Sequence, residues 1–429
     1  MKILLKGGRL IDPETASLSR ADIFISGGKI KKIEKNISEN CKKINLKGMY
    51  VAPGLIDLHT HLREPGREDV ETIKSGTGAA AKGGFTTICA MPNTSPTIDS
   101  VSGIKYVLAT NAQEGCIRVL PVGAITKQLR GKKLTEIGKM HKAGSVAISD
   151  DGTTVMNSLV MRRAMEYCKM FNLPVFSHAE DLNLSLEGMV NEGRISTSMG
   201  LKGIPSQAEE IIVSRDIALA ELTGCRLHLC HISAERSVSM ISEAKSRNLP
   251  VTAEVTPHHL TLTQECLRGY NTNCKMKPPL RREKDRQALI KGLKDGTIDC
   301  VATDHAPHLS VEKNSEFALA PFGITGLETA FSVLYTELVK KKIMSITDLV
   351  QKMTVKPAAI LQKPGLGRLK PGLCADITVI DTEKEVTLSE KFFRSKSINS
   401  PYIGKKVSGI PALTISQGNI AYKDEEIFN

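Results

Sequence analysis

The stretch VAPGLIDLHTHLREPG, residues 51–66, joins an apolar run to two imidazoles, a guanidinium and a carboxylate. Val51 to Leu58 is predicted to form a strand entered through Pro53-Gly54, because apolar and β-branched residues favour strands. Side chains two apart on a strand point to the same face, so His59 and His61 are predicted to converge. An isolated HxH is more typical of two ordinary histidines, since two ligands are too few to hold a divalent ion.

The composition is that of a globular protein with a large core. The chain has 429 residues, of which 41% are hydrophobic and 24% charged. Length alone predicts about two or three domains. A (β/α)8 barrel can take up much of this length as a single domain.

The net charge of +12 allows a nucleic-acid partner, an acidic membrane surface or an anionic small substrate. The lysines are scattered in short groups, tryptophan is absent and aromatic residues make up only 4%. Stacking platforms for bases are therefore not expected. We interpret the charge as a solvated surface with a bias toward anionic ligands, and predict no nucleic-acid partner.

The ten cysteines include no CxxC pair, which disfavours a zinc knuckle. The N-terminal MKILLKGGRLID lacks the apolar core of a signal peptide, and no stretch has the roughly 18 apolar residues of a spanning helix. The expectation is a cytoplasmic protein with reduced thiols and no membrane partner.

The two ends of the chain share short β-like segments with tight glycine turns, and the middle differs from both. Residues 1–52 and 364–429 are predicted to form one composite β-sandwich domain. Residues 53–363 alternate strand candidates with helical stretches such as SLVMRRAMEYCKMFN and SVSMISEAKSRN. The eight strand candidates are YVAPGLIDLH, TTICAMPN, RVLPVGAI, SVAISDDG, PVFSHAE, RLHLCHIS, PVTAEVTP and CVATDHAP. This α/β alternation predicts a TIM (β/α)8 barrel.

Chemistry in such barrels lies at the carboxyl ends of the strands. The candidate ends carry His59 and His61 (first), Asp150 and Asp151 (fourth), His178 (fifth), His231 (sixth), and Asp304, His305 and His308 (eighth). All ten histidines fall between positions 59 and 308. Structural histidines alone rarely cluster in this way, so a metal site on one rim is the favoured interpretation.

Segments along nearly the whole chain resemble the cyclic amidohydrolase family of the amidohydrolase superfamily, and within it the dihydroorotases of the bacterial class I type. DLHTHLREPG and ATDHAPHLSVEK are similar to their two signature segments. Further matching segments follow in the same order: AMPNTSPTID, SDDG, FSHAED, GIPSQAEE, HIS, TPHHL and PFGITGLET.

The resemblance implies a zinc centre of one or two ions per subunit. Relatives bridge two metals with a carbamoylated lysine, but SVAISDDG has no lysine, so Asp151 is implied as the bridging ligand. Strand alternation admits only one of Asp150 and Asp151 to the site. The implied metal ligands are His59, His61, Asp151, His178, His231 and Asp304.

Substrate contacts are also implied by the resemblance. Arg63, Asn93 and His308 correspond to residues that hold the substrate carboxylate, a role that suits a planar guanidinium. A rim ion pair of Arg63 with Glu64 or Glu68 is the alternative. The backbone around Pro321, Phe322 and Gly323 corresponds to groups that contact the pyrimidine ring. Lys277 stands where these relatives have asparagine, which puts ring recognition at that edge in question.

The implied reaction is the reversible cyclisation of N-carbamoyl-L-aspartate to L-dihydroorotate in pyrimidine synthesis. A zinc-bound hydroxide would attack the ring amide, with Asp304 as general acid and base. The alternatives are another cyclic amidohydrolase, an allantoinase or hydantoinase, and an inactive scaffold for aspartate transcarbamoylase. The expected partners are the small-molecule substrate, a second copy in a homodimer and, as a further candidate, aspartate transcarbamoylase. Packing or support of the site is expected for His228, His258 and His259.

Overall fold

The computed structural model describes residues 2–428, and strands and helices alternate through its middle. The strands are β1 (Lys2–Asp12), β2 (Ser17–Ser26), β3 (Lys29–Glu34), β4 (Lys42–Asn45), β5 (Tyr50–Pro53), β6 (Leu55–Thr60), β7 (Phe85–Ala90), β8 (Arg118–Gly123), β9 (Ala147–Ser149), β10 (Val175–Ser177), β11 (Val190–Asn191), β12 (Gly203–Ile204), β13 (Leu227–Leu229), β14 (Val251–Val255), β15 (Cys300–Val301), β16 (Ile377–Thr387), β17 (Lys406–Ser416), β18 (Asn419–Lys423) and β19 (Glu426–Ile427). The α-helices are α1 (Ile73–Lys82), α2 (Val101–Glu114), α3 (Ile137–Ala143), α4 (Ser158–Lys169), α5 (Arg194–Ser198), α6 (Gln207–Thr223), α7 (Glu235–Ser246), α8 (Pro257–Thr261), α9 (Glu283–Asp295), α10 (Ser310–Lys313), α11 (Ala330–Leu334), α12 (Ile346–Lys352) and α13 (Val355–Ile360).

Eight parallel strands form the barrel, and the prediction of a TIM barrel is confirmed. Their order is β6-β7-β8-β9-β10-β13-β14-β15. The segment after β15 returns to the first strand, where the His61 amide donates to the His305 carbonyl at 2.9 Å. A parallel bridge between Thr60 and His305 lies at the same point. The two edges of the sheet therefore meet, and the carboxyl ends of all eight strands share one rim.

The first predicted strand is wrong in one respect, because it divides into two. β5 pairs with β1 and β16 in the terminal sheet, whereas β6 pairs with β7 in the barrel. Gly54 makes the break: a Cβ there would lie 2.1 Å from Thr86 Oγ1. Only glycine lets the chain pass this close to β7.

Both ends of the chain build one nine-stranded sheet, in the order β19-β18-β17-β16-β5-β1-β2-β3 with β4 also paired to β1. Its own apolar core includes Ile3, Ile23, Val51, Ile377 and Ile415. The N-terminal strands meet the C-terminal ones where β5 pairs antiparallel with β16. We propose the division into residues 1–52 plus 364–429 and residues 53–363 on this pairing.

Amphipathic helices surround the barrel, and the two helical stretches expected from the sequence correspond to α4 and α7. Asn157 begins α4, its side chain accepting from the Leu159 and Val160 amides. Asn172 and Asn248, just beyond α4 and α7, have the positive φ angles typical of a helix stop.

Among residues 2–428, no helix combines the length and apolarity needed to cross a membrane.

Candidate metal centre and substrate pocket

Six candidate ligands lie at the barrel rim, each at or just beyond a strand end. His59 lies in β6 with His61 directly after it, and the others follow β9, β10, β13 and β15. They form three overlapping groups whose ligand atoms lie within 4.8 Å of one another. These groups are His59–His61–Asp151, His59–His231–Asp304 and Asp151–His178–His231.

Asp151 is the centre of this arrangement. Its Oδ1 lies 3.2 Å from His59 Nε2, 3.4 Å from His178 Nδ1 and 3.5 Å from His231 Nε2. Its Oδ2 lies 3.4 Å from His61 Nε2. One carboxylate thus contacts four imidazoles, three through Oδ1 and one through Oδ2, an arrangement that a carboxylate bridging two metal positions could adopt.

Asp304 lies next to His59 and His61. Its Oδ1 is 3.0 Å from His61 Nε2 and 3.6 Å from His59 Nε2. The backbones of Asp304 and His231 both have positive φ, at 46° and 34°. Non-glycine residues adopt such angles at a cost that surrounding structure must offset, and they concentrate at functional sites.

The donor atoms fit a divalent cation. His59 Nε2 and Asp151 Oδ1 are buried and have no hydrogen-bond partner within residues 2–428. Buried polar atoms without partners are costly, so a cation between them would satisfy both. Burial alone would raise the pKa of Asp151, but His59, His178 and His231 hold it well below its usual value. The carboxylate is therefore ionised, as a ligand must be.

Asp150 points away from the metal centre, as strand alternation requires. Its Oδ1 accepts from the amides of Ile125 at 2.8 Å and Thr126 at 2.9 Å. Its side chain therefore ties the β8 loop to the end of β9. These contacts turn Asp150 away from the candidate ligands, and the role of Asp151 as a ligand stays a prediction.

Glu254, which the sequence interpretation missed, orients the first ligand. Its Oε1 accepts from His59 Nδ1 at 2.8 Å, and its Oε2 accepts from His228 Nε2 at 3.0 Å. Because Nδ1 carries the proton, the lone pair of His59 is on Nε2, facing Asp151. The available signal was a lone carboxylate within the apolar strand VTAEV.

We expect Glu254→Gln to lower metal affinity by about 10- to 100-fold, the usual effect of removing a carboxylate behind a ligating histidine. Titration of the metal-free variant with zinc against a competing chelator measures this directly. Glu71→Gln is the matched control, because Glu71 is also fully buried and faces His305, outside the ligand set. Equal zinc affinity in Glu254→Gln and wild type would contradict the orienting role.

His228, His258 and His259 lie outside the six candidate ligands, and their packing or supporting roles stay predictions. His228 contacts Glu254, and His259 is held between Thr256 Oγ1 at 2.8 Å and the Pro278 carbonyl at 3.0 Å. His258 is buried, which lowers its pKa well below the usual value. His305 faces Glu71 at 3.4 Å.

A cavity of about 380 Å³ opens on the metal centre and is lined by the predicted substrate residues. Arg63, with φ of 61°, turns inward, and its Nε donates to the Pro307 carbonyl at 3.2 Å. It forms no ion pair with Glu64 or Glu68, so that alternative is wrong. Burial lowers the pKa of Arg63 to about 10, so the guanidinium stays charged at neutral pH.

Two further side chains line the same cavity, Asn93 in contact with a candidate ligand and His308 in contact with Arg63. Asn93 Oδ1 accepts from His61 Nδ1 at 2.8 Å, which leaves His61 Nε2 facing the carboxylates. His308 Nε2 lies 2.8 Å from the Phe322 carbonyl and 3.2 Å from Arg63 Nη2. Burial and the charge of Arg63 lower the pKa of His308 to about 3, so its ring is neutral.

Lys277, the departure from the family pattern, lines the same cavity. Its Nζ lies 2.8 Å from Glu180 Oε1, and Glu180 Oε2 accepts from His178 Nε2 at 3.1 Å. Lys277 is thus tied through Glu180 to a candidate ligand. Its side chain keeps 28% of its surface exposed and lies on the cavity wall.

Comparisons with known proteins show the family of the chain. A family model described as Dihydro-orotase-like matches residues 48–237. A dihydroorotase of Endomicrobium trichonymphae is 49% identical over 423 residues, covering 99% of this chain and 100% of the relative. A dihydroorotase of Caldanaerobacter subterraneus subsp. tengcongensis is 48% identical over 430 residues, covering 100% and 99%.

The fold has solved counterparts. The L-hydantoinase (dihydropyrimidinase) from Arthrobacter aurescens superimposes with a TM-score of 0.91 at 25% identity, covering 100% of this chain and 97% of that one. A dihydropyrimidinase from Brevibacillus agri reaches a TM-score of 0.86 at 23% identity and shows the fold alone. Hydantoinases share the fold of this chain. The identity of the chain to the dihydroorotase of Endomicrobium trichonymphae is about twice its identity to the Arthrobacter aurescens hydantoinase. With nearly half of its residues identical to such relatives along essentially its whole length, the chain belongs to the dihydroorotase family.

Proposed function

We propose that this protein is the dihydroorotase of de novo pyrimidine synthesis, which interconverts N-carbamoyl-L-aspartate and L-dihydroorotate. The single observation that carries the proposal is the shared cavity of the metal-ligand cluster and Arg63. A cyclic amide could present its carbonyl to the metal centre while its carboxylate reaches the guanidinium. Residues for metal-dependent amide hydrolysis and the residue for carboxylate binding would then both lie at the end of β6.

For the metal we propose zinc, bound by His59, His61, Asp151, His178, His231 and Asp304. Imidazole nitrogens with carboxylate oxygens suit zinc. We propose Asp151 as the bridging ligand if two ions bind, because each of its two oxygens contacts an imidazole. A bound zinc ion would lower the pKa of a water molecule to about 7 and polarise an amide carbonyl.

Asp304 is proposed as the general base and acid. Burial alone would raise its pKa, but His59 and His61 hold it below its usual value, so the side chain is an ionised carboxylate at neutral pH. In ring opening it takes the proton of the attacking water and delivers it to the leaving ring nitrogen as the C–N bond breaks. In ring closure the protonated acid gives its proton to the departing oxygen and, as a carboxylate, takes up the proton of the attacking ureido nitrogen, so one side chain serves both directions.

Arg63 is proposed to bind the substrate carboxylate through two parallel hydrogen bonds. Asn93 is free to contribute its Nδ2 donor, because its Oδ1 already accepts from His61. His308 would have to exchange the Phe322 carbonyl for the carboxylate as the partner of Nε2. Burial of Arg63 strengthens this binding, since water competes less for the guanidinium.

Lys277 and the wall formed by Pro321, Phe322 and Gly323 are proposed to contact the rest of the ring. The Phe322 ring lies 5.4 Å from Lys277 Nζ, so the two side chains form one continuous surface. A Cβ on Gly323 would lie 2.6 Å from the Ala306 carbonyl, which explains the glycine in this wall. The ammonium group of Lys277 has three N–H donors, so it can keep its pair with Glu180 and also donate to a ring carbonyl.

The proposal is tested by purifying the chain alone, measuring zinc per subunit, and assaying hydrolysis of L-dihydroorotate, hydantoin and allantoin side by side. We expect turnover of dihydroorotate and at most trace turnover of the other two. Hydantoin or allantoin turnover without dihydroorotate turnover would favour the alternative cyclic amidohydrolases. No turnover by the zinc-loaded protein, alone or with transcarbamoylase, would favour an inactive scaffold.

A homodimer is a further part of the proposal. Leu159, Met170, Ile211 and Leu222 are large apolar side chains, each at least 48% exposed, on or next to the neighbouring helices α4 and α6. Exposed apolar groups of this kind are typical of subunit contacts. Light scattering gives the mass of the particle, and its change on adding aspartate transcarbamoylase tests that partner.

A further inference from the structure

Two lysines outside the proposed catalytic and binding set are buried behind the substrate pocket. Lys275 and Lys313 are each only 2% exposed. Lys275 follows a 3-10 turn, Thr272–Cys274, and Lys313 is the last residue of α10. Neither forms an ion pair within residues 2–428, an unusual state for buried ammonium groups.

Both lysines bond to main-chain carbonyls of one segment, residues 317–323. Lys313 Nζ donates to the carbonyls of Pro321 at 2.9 Å and Gly323 at 3.1 Å. Lys275 Nζ donates to the carbonyls of Phe317 at 2.6 Å and Ala318 at 3.1 Å. Two lysine side chains therefore form hydrogen bonds with four main-chain carbonyls of this segment.

This segment includes part of the pocket wall. Pro321 and Phe322 line the same cavity as the candidate metal ligands. The Phe322 carbonyl faces His308 Nε2 at 2.8 Å, so any shift of the segment also moves a proposed carboxylate contact. The carbonyls that Lys313 bonds are those directly before and after Phe322.

Lys313 has no substitute at one of these two carbonyls. Gly323 also accepts from Asn399 Nδ2 at 3.0 Å, and its amide donates to the Lys275 carbonyl at 3.0 Å. The Pro321 carbonyl has Lys313 as its hydrogen-bond donor within the described chain. Loss of the ammonium group would leave that oxygen unpartnered, and an unsatisfied buried carbonyl moves toward any donor or water it can reach.

We propose that Lys313, assisted by Lys275, is a positioning residue for substrate binding, fixing the Pro321–Gly323 wall against the bound ring. The inference rests on the proposed function and adds a residue to it. Burial, with the neighbouring charge of Lys275, lowers the pKa of Lys313 to about 7. A neutral amine still carries two N–H donors, which match the two carbonyls. The hydrogen bonds of Lys313 to Pro321 and Gly323 can therefore form with or without the proton. The charged form adds positive potential beside a pocket for an anion.

The test is a comparison of KM and kcat for L-dihydroorotate in the zinc-loaded wild type, Lys313→Met and Lys352→Met. Lys352 is the matched control, since it is also buried and its Nζ donates to a carbonyl, that of Ile298, at 2.9 Å, before β15 and away from the pocket. We expect Lys313→Met to raise KM by about 10-fold, the scale of one unsatisfied buried group, with kcat and zinc content nearly unchanged. Lys352→Met is expected to lower the melting temperature without changing KM.

Lys313→Gln keeps the test decisive if the methionine variant does not fold. Glutamine is one atom shorter, so it can reach one of the two carbonyls, and KM is expected to rise about threefold. A wild-type KM in whichever variant folds, or an equal rise in Lys352→Met, would overturn the inference. Absence of dihydroorotate turnover in the wild type would overturn the proposed function as well, so the two failures are distinguishable.

Discussion

Asp304→Asn is expected to lower kcat for dihydroorotate hydrolysis by about 10³-fold, within the range that general acid–base groups supply. The amide keeps the shape and one oxygen near His61, but it cannot accept the proton of the attacking water. The loss is expected in both directions, because the same carboxylate serves ring opening and ring closure. Steady-state rates in each direction, normalised to bound zinc, measure it.

The zinc normalisation matters because Asp304 is also a proposed ligand. Asp150→Asn is the matched control: this neighbouring buried carboxylate bonds to the Ile125 and Thr126 amides and faces away from the site. It is expected to lower thermal stability and to leave kcat within severalfold of wild type. An Asp304→Asn protein that retains its zinc and turns over near the wild-type rate would remove the base from the mechanism.

Arg63→Met is expected to lower kcat/KM for dihydroorotate by about 10²- to 10³-fold, mostly through KM. Truncating one partner of a buried, hydrogen-bonded charge pair costs about 2–5 kcal/mol, chiefly because the other charge stays buried and unpaired. Arg63→Lys should recover only part of the loss, since an ammonium group lacks the planar fork of guanidinium. Initial rates over a range of dihydroorotate concentrations separate KM from kcat.

Arg67→Met is the control for the Arg63 prediction. Arg67 lies four residues further on, is partly exposed and pairs with Asp69 at 3.0 Å and Glu312 at 2.8 Å. Exposed ion pairs contribute little, so KM should stay near the wild-type value. Unchanged KM and kcat in Arg63→Met would exclude the guanidinium as the carboxylate-binding group.

The barrel and its rim could be predicted from the sequence because both depend on periodic signals. Strand ends carrying histidine or aspartate recur along the chain, and parallel strands bring those ends together. The HxH pair illustrates the limit: β6 ends at Thr60, so His61 lies just beyond the strand, yet both rings still reach Asp151. The six ligand roles remain predictions until metal is measured.

Other features depend on contacts that have no local signal. The division between β5 and β6 follows from the closeness of Gly54 to Thr86, which lies on another strand. Glu254 lies mid-strand, where its partnership with His59 depends on barrel closure. Lys313 belongs to a residue type that is mostly exposed, and only the fold brings its ammonium group against two carbonyls.

The central claim is that metal chemistry and carboxylate recognition meet in one pocket, with Arg63 selecting the substrate. The most direct measurement is the ratio of kcat/KM for L-dihydroorotate to that for 5,6-dihydrouracil, the same ring without its carboxylate. A site built to bind a charged group rejects the analogue that lacks it, so we predict a ratio of about 10⁴ or more. Comparable values for the two rings would contradict the account.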